Sequence, residues 1–312
     1  MRAATVVGAA AGVVSMVPLA VALRARRELC WRPGRGARHD GTLAVRVFGA
    51  AGVPVVFLHG QAGSGRYWGA VFDGLASGHR VVVPDLLGFG SSPRPDVSYD
   101  AERHADALLS CLDELGIAEP VVLVGHSLGC IVALRLATRD PGRVRAVVGF
   151  GPPIYRDPGS ARSHLIALGL GARLFAMDTP VAKAVYSVVC RRSPGLAGAL
   201  ARLLRLDLPG PIAQDGVRYS WDSYSRSVRR LILDAPALPW LSQLQVPVRL
   251  VAALDDAVVD AALLHEISGR CPWVTVDLWP VAGHHLPLRR PLDCLAIVSE
   301  VLNDVTVPGE PS

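Results

Sequence analysis

The sequence predicts an α/β fold: a mostly parallel central sheet flanked by helices, with a helical insertion. Three observations carry this. Short β-type runs alternate with helix-type runs over most of the chain, which is the rhythm of strand–crossover–strand units. Several β-type runs are unbroken Val/Leu stretches, the pattern of strands covered on both faces. The rhythm then breaks once, between residues 152 and 237.

The strand-like runs are 43–48, 54–58, 80–84, 121–124, 144–150, 247–252 and 273–279. Helical candidates between them are 67–75, 101–115, 128–138 and 292–302. Within 152–237, apolar residues recur at helical spacing (Leu165, Leu168, Leu174, Phe175; then Leu196, Leu200, Leu203, Leu204), with frequent Pro and Gly. Connections in compact domains are usually short. So long a departure reads as a helical lid set between two strands of the sheet. The expected organisation is therefore an N-terminal segment at 1–40, a core at 41–151 and 238–312, and a lid at 152–237.

Of 312 residues, 51% are hydrophobic and 19% charged. That suits a large buried core and excludes a disordered chain. The formal charge is +5. Arg24, Arg26, Arg27, Arg32, Arg35 and Arg38 against Glu28 account for all of it. A nucleic-acid partner would need a basic face spread over a folded domain, which is missing. The cluster instead follows a charge-free apolar run, residues 3–23, just long enough to span a bilayer. Three readings fit: a membrane anchor, a signal peptide ending near Ala20-Val21-Ala22, or a soluble tail. The anchor is preferred because arginines follow it directly; it makes the protein membrane-associated with its folded domain on the cytoplasmic side. The alternative is secretion. Six cysteines are scattered without paired spacing, so no zinc site is expected and they read as buried small hydrophobes. Nothing suggests a metal or an organic cofactor.

The sharpest local signal is Gly125-His126-Ser127-Leu128-Gly129, lying between a strand-like and a helix-like run. A serine at the tip of a tight strand-to-helix turn takes strained backbone angles, and glycines two residues to either side let chain segments approach. The Ser127 hydroxyl is then presented at a helix start, where the Leu128 N–H can receive developing negative charge.

Four further segments fall in order around it. His59-Gly60-Gln61 follows the run 54–58, and Pro84-Asp85-Leu86-Leu87-Gly88-Phe89-Gly90-Ser91-Ser92 follows 80–83. The stretch 250–260 carries Asp255 and Asp256, and Gly283-His284 precedes Pro291. With Ser127, these resemble the oxyanion loop, the P-D-x-x-G-x-G-x-S loop, the nucleophile elbow, the acid turn and the histidine loop of the α/β-hydrolase fold family. The resemblance runs from about residue 43 to 303.

It implies a Ser-His-Asp triad of Ser127, His284 and Asp256, with the backbone amides of Gln61 and Leu128 as oxyanion hole. Asp255 competes with Asp256. Aligning Ala253 with the family's glycine favours Asp256, although Ala253 and Asp260 both depart from the family's G-x-x-D-x-x-V-P. His285 competes with His284, whose place directly after Gly283 favours it. His59 and His126 read as structural and Asp85 as loop-stabilising; Cys130 reads as buried. His79, His104, His164 and His265 lack a catalytic setting and read as surface residues. Relatives with epoxide or haloalkane chemistry carry Asp at the elbow, so Ser127 implies acyl chemistry through a covalent ester. The expected partner is a small, apolar ester. Leu165, Ile166, Leu170, Leu174, Phe175, Trp221 and Tyr224 are candidates to line an acyl pocket, with lid packing as their plainer role. C–C bond hydrolysis and acyl transfer use the same triad. A ligand-binding protein that keeps the fold without catalysis is the reading from another class.

Overall fold

The computed structural model describes residues 31–167, 179–205 and 207–306. The apolar run 3–23, Arg24, Arg26, Arg27, Leu168, Leu170, Leu174 and Phe175 lie outside them. Among the described residues no helix is long and apolar enough to cross a membrane.

One eight-stranded sheet organises the chain, in the order β1-β2-β4-β3-β5-β6-β7-β8. Its strands are β1 (Ala37–Asp40), β2 (Ala44–Phe48), β3 (Pro54–Leu58), β4 (Arg80–Pro84), β5 (Val121–His126), β6 (Val144–Phe150), β7 (Val248–Ala253) and β8 (Val274–Trp279). β1, β2 and β4 pair antiparallel; every other pairing is parallel. This is the expected α/β architecture with one strand added. Residues 37–40, assigned from sequence to the N-terminal segment outside the core, pair with β2 from Ala37↔Val47 to Asp40↔Ala44. Their composition, Ala-Arg-His-Asp, carries no strand signal; the hydrogen-bonding edge of β2 supplies the conformation.

The side chains of β3 explain the layering. Val56 and Leu58 enter one apolar cluster, and Val55 and Phe57 enter the other. Alternate residues of a strand point to opposite faces, so an unbroken apolar strand needs cover on both. The first face is covered by α1 (Ala101–Glu114) and α2 (Leu128–Arg139), which contribute Leu108, Leu112, Ile131 and Leu134. Asp100 starts α1 by accepting a hydrogen bond from the Arg103 N–H at 2.9 Å, a standard N-cap.

The second face is covered by the last helix, Pro291–Thr306, through Ile297, Val298 and Val301. It is also covered by two 3-10 stretches, Gly65–Tyr67 and Ala70–Ser77. A single α-helix over 67–75 was the sequence expectation. Gly69 interrupts it, extended and with its neighbour Ala70 bonded to Arg32 O rather than to a helical turn.

Between β6 and β7 the described chain is helical: α3 (Pro158–Ala167), α4 (Pro180–Tyr186), α5 (Pro194–Leu204), α6 (Gly210–Asp215), α7 (Trp221–Ser227) and α8 (Ala237–Leu241). Cys111, Cys130 and Cys294 are buried as expected, whereas Cys190 and Cys271 are half-buried, and Cys30 lies outside the described residues. His104 departs from its surface reading. It sits on the inner face of α1, 1% exposed, with neither ring nitrogen hydrogen-bonded, and burial pushes its pKa down to about 4.

Candidate active site

Ser127 stands at the junction of β5 and α2 with φ +52° and ψ −121°. A non-glycine residue takes positive φ only under constraint. Here the Ser127 N–H donates to Phe150 O at 2.9 Å, tying the turn to the end of β6. On the other side a Cβ at Gly129 would come within 2.4 Å of Leu58 O. The elbow closes only because that position is bare, which lets α2 start against the end of β3.

Side chains far apart in sequence converge on this serine. His284 Nε2 lies 3.0 Å from Ser127 Oγ, and His284 Nδ1 lies 2.9 Å from Asp256 Oδ2. Asp256 is 5% exposed, and its other oxygen accepts from the Val258 N–H at 2.9 Å. A carboxylate on Nδ1 keeps that proton in place and leaves Nε2 free to accept from the serine.

Asp255 points elsewhere. Its Oδ1 accepts from the amides of Ala282 (2.9 Å) and Gly283 (2.7 Å), which hold its carboxyl below the ordinary carboxylate range. It thus fixes the turn that delivers His284. His285 does not approach Ser127 either. It contacts Tyr67 OH and Arg205 Nη2, each at 3.4 Å, and burial holds its pKa well below the ordinary value.

The loop after β3 lies beside the serine: a Cβ on Gly60 would stand 3.1 Å from Ser127 Cβ. His59 braces that loop. Its Nδ1 donates to Gly60 O at 2.8 Å and its Nε2 accepts from the Leu86 N–H at 2.9 Å. Asp85 accepts from the amides of Gly65 and Ser91, each at 2.7 Å. Among the described residues, neither the Gln61 nor the Leu128 N–H has a backbone acceptor. Backbone amides left open in this way beside a serine suit an anionic oxygen. The Gln61 side chain is committed elsewhere, donating from Nε2 to Tyr224 O at 3.0 Å.

The His126 ring packs behind His284, 4.9 Å between ring centroids. Its Nε2 donates to His284 O at 2.9 Å, and Tyr67 stacks on it at 4.4 Å between ring centroids. Burial, reinforced by His284, holds its pKa well below the ordinary value. Sequence reasoning missed Tyr67, and it missed Asp215, whose Oδ2 accepts from the Ser64 hydroxyl at 2.6 Å. Neither carries a local signal, since both contacts join segments distant in the chain. Among the described residues no group of three or more His, Cys, Asp or Glu is placed to hold a metal ion.

Residues 53–177 match the family model of the alpha/beta hydrolase fold. The chain has the α/β-hydrolase fold. Similar proteins include the probable lysophospholipase BODYGUARD 2 of Arabidopsis thaliana, 34% identical over 110 residues; the match takes in 33% of this chain and 23% of the plant protein. The chain therefore spans under a quarter of that relative's length. An uncharacterised protein of Mycobacterium tuberculosis is 25% identical over 293 residues, 87% of this chain and 81% of its own length. Among solved structures, a haloalkane dehalogenase from Bradyrhizobium elkani superposes with a TM-score of 0.69 at 23% identity, covering 88% of this chain and 99% of its own. At that identity the likeness speaks to the fold.

Proposed function

We propose that this α/β-hydrolase is a serine hydrolase that cleaves an ester of an apolar acid or alcohol. The observation that carries the reading is the relay Ser127 Oγ–His284 Nε2–Asp256, with links of 3.0 and 2.9 Å. Ser127 Oγ attacks the carbonyl carbon as its proton passes to His284 Nε2. The carbonyl electron pair collects on oxygen, between the Gln61 and Leu128 amides. Collapse expels the alkoxide, which takes the proton from His284 and leaves an acyl ester on Ser127. Water repeats the sequence and releases the acid.

Two further points support the reading. Serine suits acyl groups: displacing a halide with a serine oxygen would leave an ether, which water does not readily cleave, whereas an acyl ester turns over. The apolar preference is supported by aromatic rings on and beside α7, where Tyr224 lies 4.8 Å from Tyr219 and 6.2 Å from Trp221 between centroids. The Tyr224 carbonyl is bonded to Gln61. The relative named a probable lysophospholipase points the same way. In this reading the helical connection 152–237 acts as a lid over the serine.

A fluorophosphonate probe tests the chemistry: labelling of the wild type that disappears in Ser127→Ala is expected. An unlabelled wild type would leave a ligand-binding protein instead. Octanoyl esters should be cleaved faster than acetyl esters of the same alcohol; a strong acetyl preference would refute the apolar substrate class.

A further inference from the structure

Helix α5 is packed inside out. Its inward positions are Ala197 and Gly198, the latter 3.5 Å from Gln214 by its virtual Cβ. Its large residues face solvent: Leu196, Leu200 and Leu203 are 59%, 39% and 66% exposed, and Leu204 beside them is 74% exposed. Positions i, i+4 and i+7 share one stripe of a helix. The stretch Pro180–Arg191 repeats the arrangement. Ala182 and Tyr186 are buried, while Val181, Val185 and Val188, again at i, i+4 and i+7, are exposed. An amphipathic helix normally turns its aliphatic stripe to the core. Two adjacent stripes turned outward are an apolar face waiting for cover.

Charge says what covers it. Residues 179–205 hold Lys183, Arg191, Arg192, Arg202 and Arg205 and no carboxylate, and of these Arg205 is paired with Asp207 at 2.8 Å. Lys183, Arg191 and Arg192 have no ion-pair partner among the described residues. A second copy of the chain would set these cations against their own images, which repel. An anionic lipid surface accepts both parts, aliphatic side chains below its headgroups and cations among them. The face also adjoins the candidate site, because Arg205, the residue after α5, reaches His285 at 3.4 Å.

We propose that the outward faces of α4 and α5 dock on an anionic lipid surface. The proposal does not depend on the ester reading, because vesicle binding needs no catalysis. It is also separate from residues 3–23, so its test keeps the full chain throughout. Flotation is measured with vesicles of phosphatidylcholine alone and of phosphatidylcholine mixed with phosphatidylglycerol.

The wild type should float with the mixed vesicles, and less so at high salt. Leu200→Glu/Leu203→Glu should lower that partitioning by at least about tenfold, with unchanged melting temperature and unchanged labelling by a soluble probe. Arg191→Glu/Arg192→Glu should remove the preference for phosphatidylglycerol. The proposal is overturned if the wild type does not float, or if the leucine variant floats like the wild type. It also fails if the arginine variant keeps the preference. A wild-type dimer that the leucine variant splits, without vesicle binding, would assign the face to a second copy. A fall in melting temperature with flotation unchanged would mean that the chain covers the leucines itself.

Discussion

Asp215 accepts a hydrogen bond from the Ser64 hydroxyl at 2.6 Å, so the end of α6 is fastened to the loop that carries Gln61. Asp215 is 2% exposed and lies 3.4 Å from Arg66 and 3.6 Å from Arg218. A buried carboxylate is tolerable only with such partners. Gln61 is held from the same side through Tyr224.

Removing that fastening should loosen the proposed oxyanion loop more than substrate binding. Asp215→Ala is expected to lower kcat by about tenfold with KM nearly constant, because one misplaced donor weakens only the charged transition state. Stability should fall by about 1–3 kcal/mol, the cost of leaving Ser64 and the arginines unpaired. Steady-state kinetics and urea unfolding check both. A rise in KM with kcat intact would place Asp215 with the substrate instead.

Neighbouring aspartates should separate cleanly. Asp256→Asn leaves the packing but loses the carboxylate 2.9 Å from His284 Nδ1, and kcat should fall by about 10³-fold or more. Asp255→Asn weakens two backbone contacts in the histidine turn. Its expected cost is about tenfold or less, with a larger share in stability. Equal losses in the two variants would remove Asp256 from the relay.

Acid should destabilise the fold through His104. Its side chain is buried without a hydrogen-bond partner and titrates at about 4, against 6.5 for a free imidazole. Below 6.5 the unfolded chain takes up a proton that the folded chain refuses until about pH 4. Stability is therefore full above the free value and falls as pH drops through this window. The loss reaches about 2 kcal/mol at about pH 5. His59, His126 and His285, also held low by burial, add in the same direction. His104→Leu should remove its own share, so urea midpoints at neutral and acid pH should lie closer together than in the wild type. An unchanged gap would show that His104 is charged in the folded state.

The sequence made the sheet and the site legible to different depths. β3, β4 and β6 lie where the Val/Leu runs put them, since a strand covered on both faces must be apolar throughout. β1 was invisible because its conformation comes from pairing with β2. Ser127 and His284 were legible because a nucleophile turn and a glycine-preceded histidine leave local traces. Asp255 and Asp256 could be ranked only by register, and the distance to His284 separates them by direction of the side chain. On α5 the 196–200–203 periodicity was readable, but not which way it faces, because Ala and Gly on the opposite side fit a tight helix contact equally well.

The end of β6 has a consequence for how such a protein diversifies. Phe150 O holds the Ser127 amide, and the next residue, Gly151, leaves room beside His284 Nδ1 and Asp256 Oδ2, each within 3.4 Å of a Cβ it does not have. There the chain leaves the sheet, and it returns at β7. Ser127, His284 and Asp256 all precede that exit or follow the return, and the contacts of Asp215 and Tyr224 reach back from the inserted stretch to the loop after β3. Apart from those two anchor points, the inserted stretch can drift in length and composition across a lineage, exchanging one clientele of molecules for another while Ser127, His284 and Asp256 stay in register.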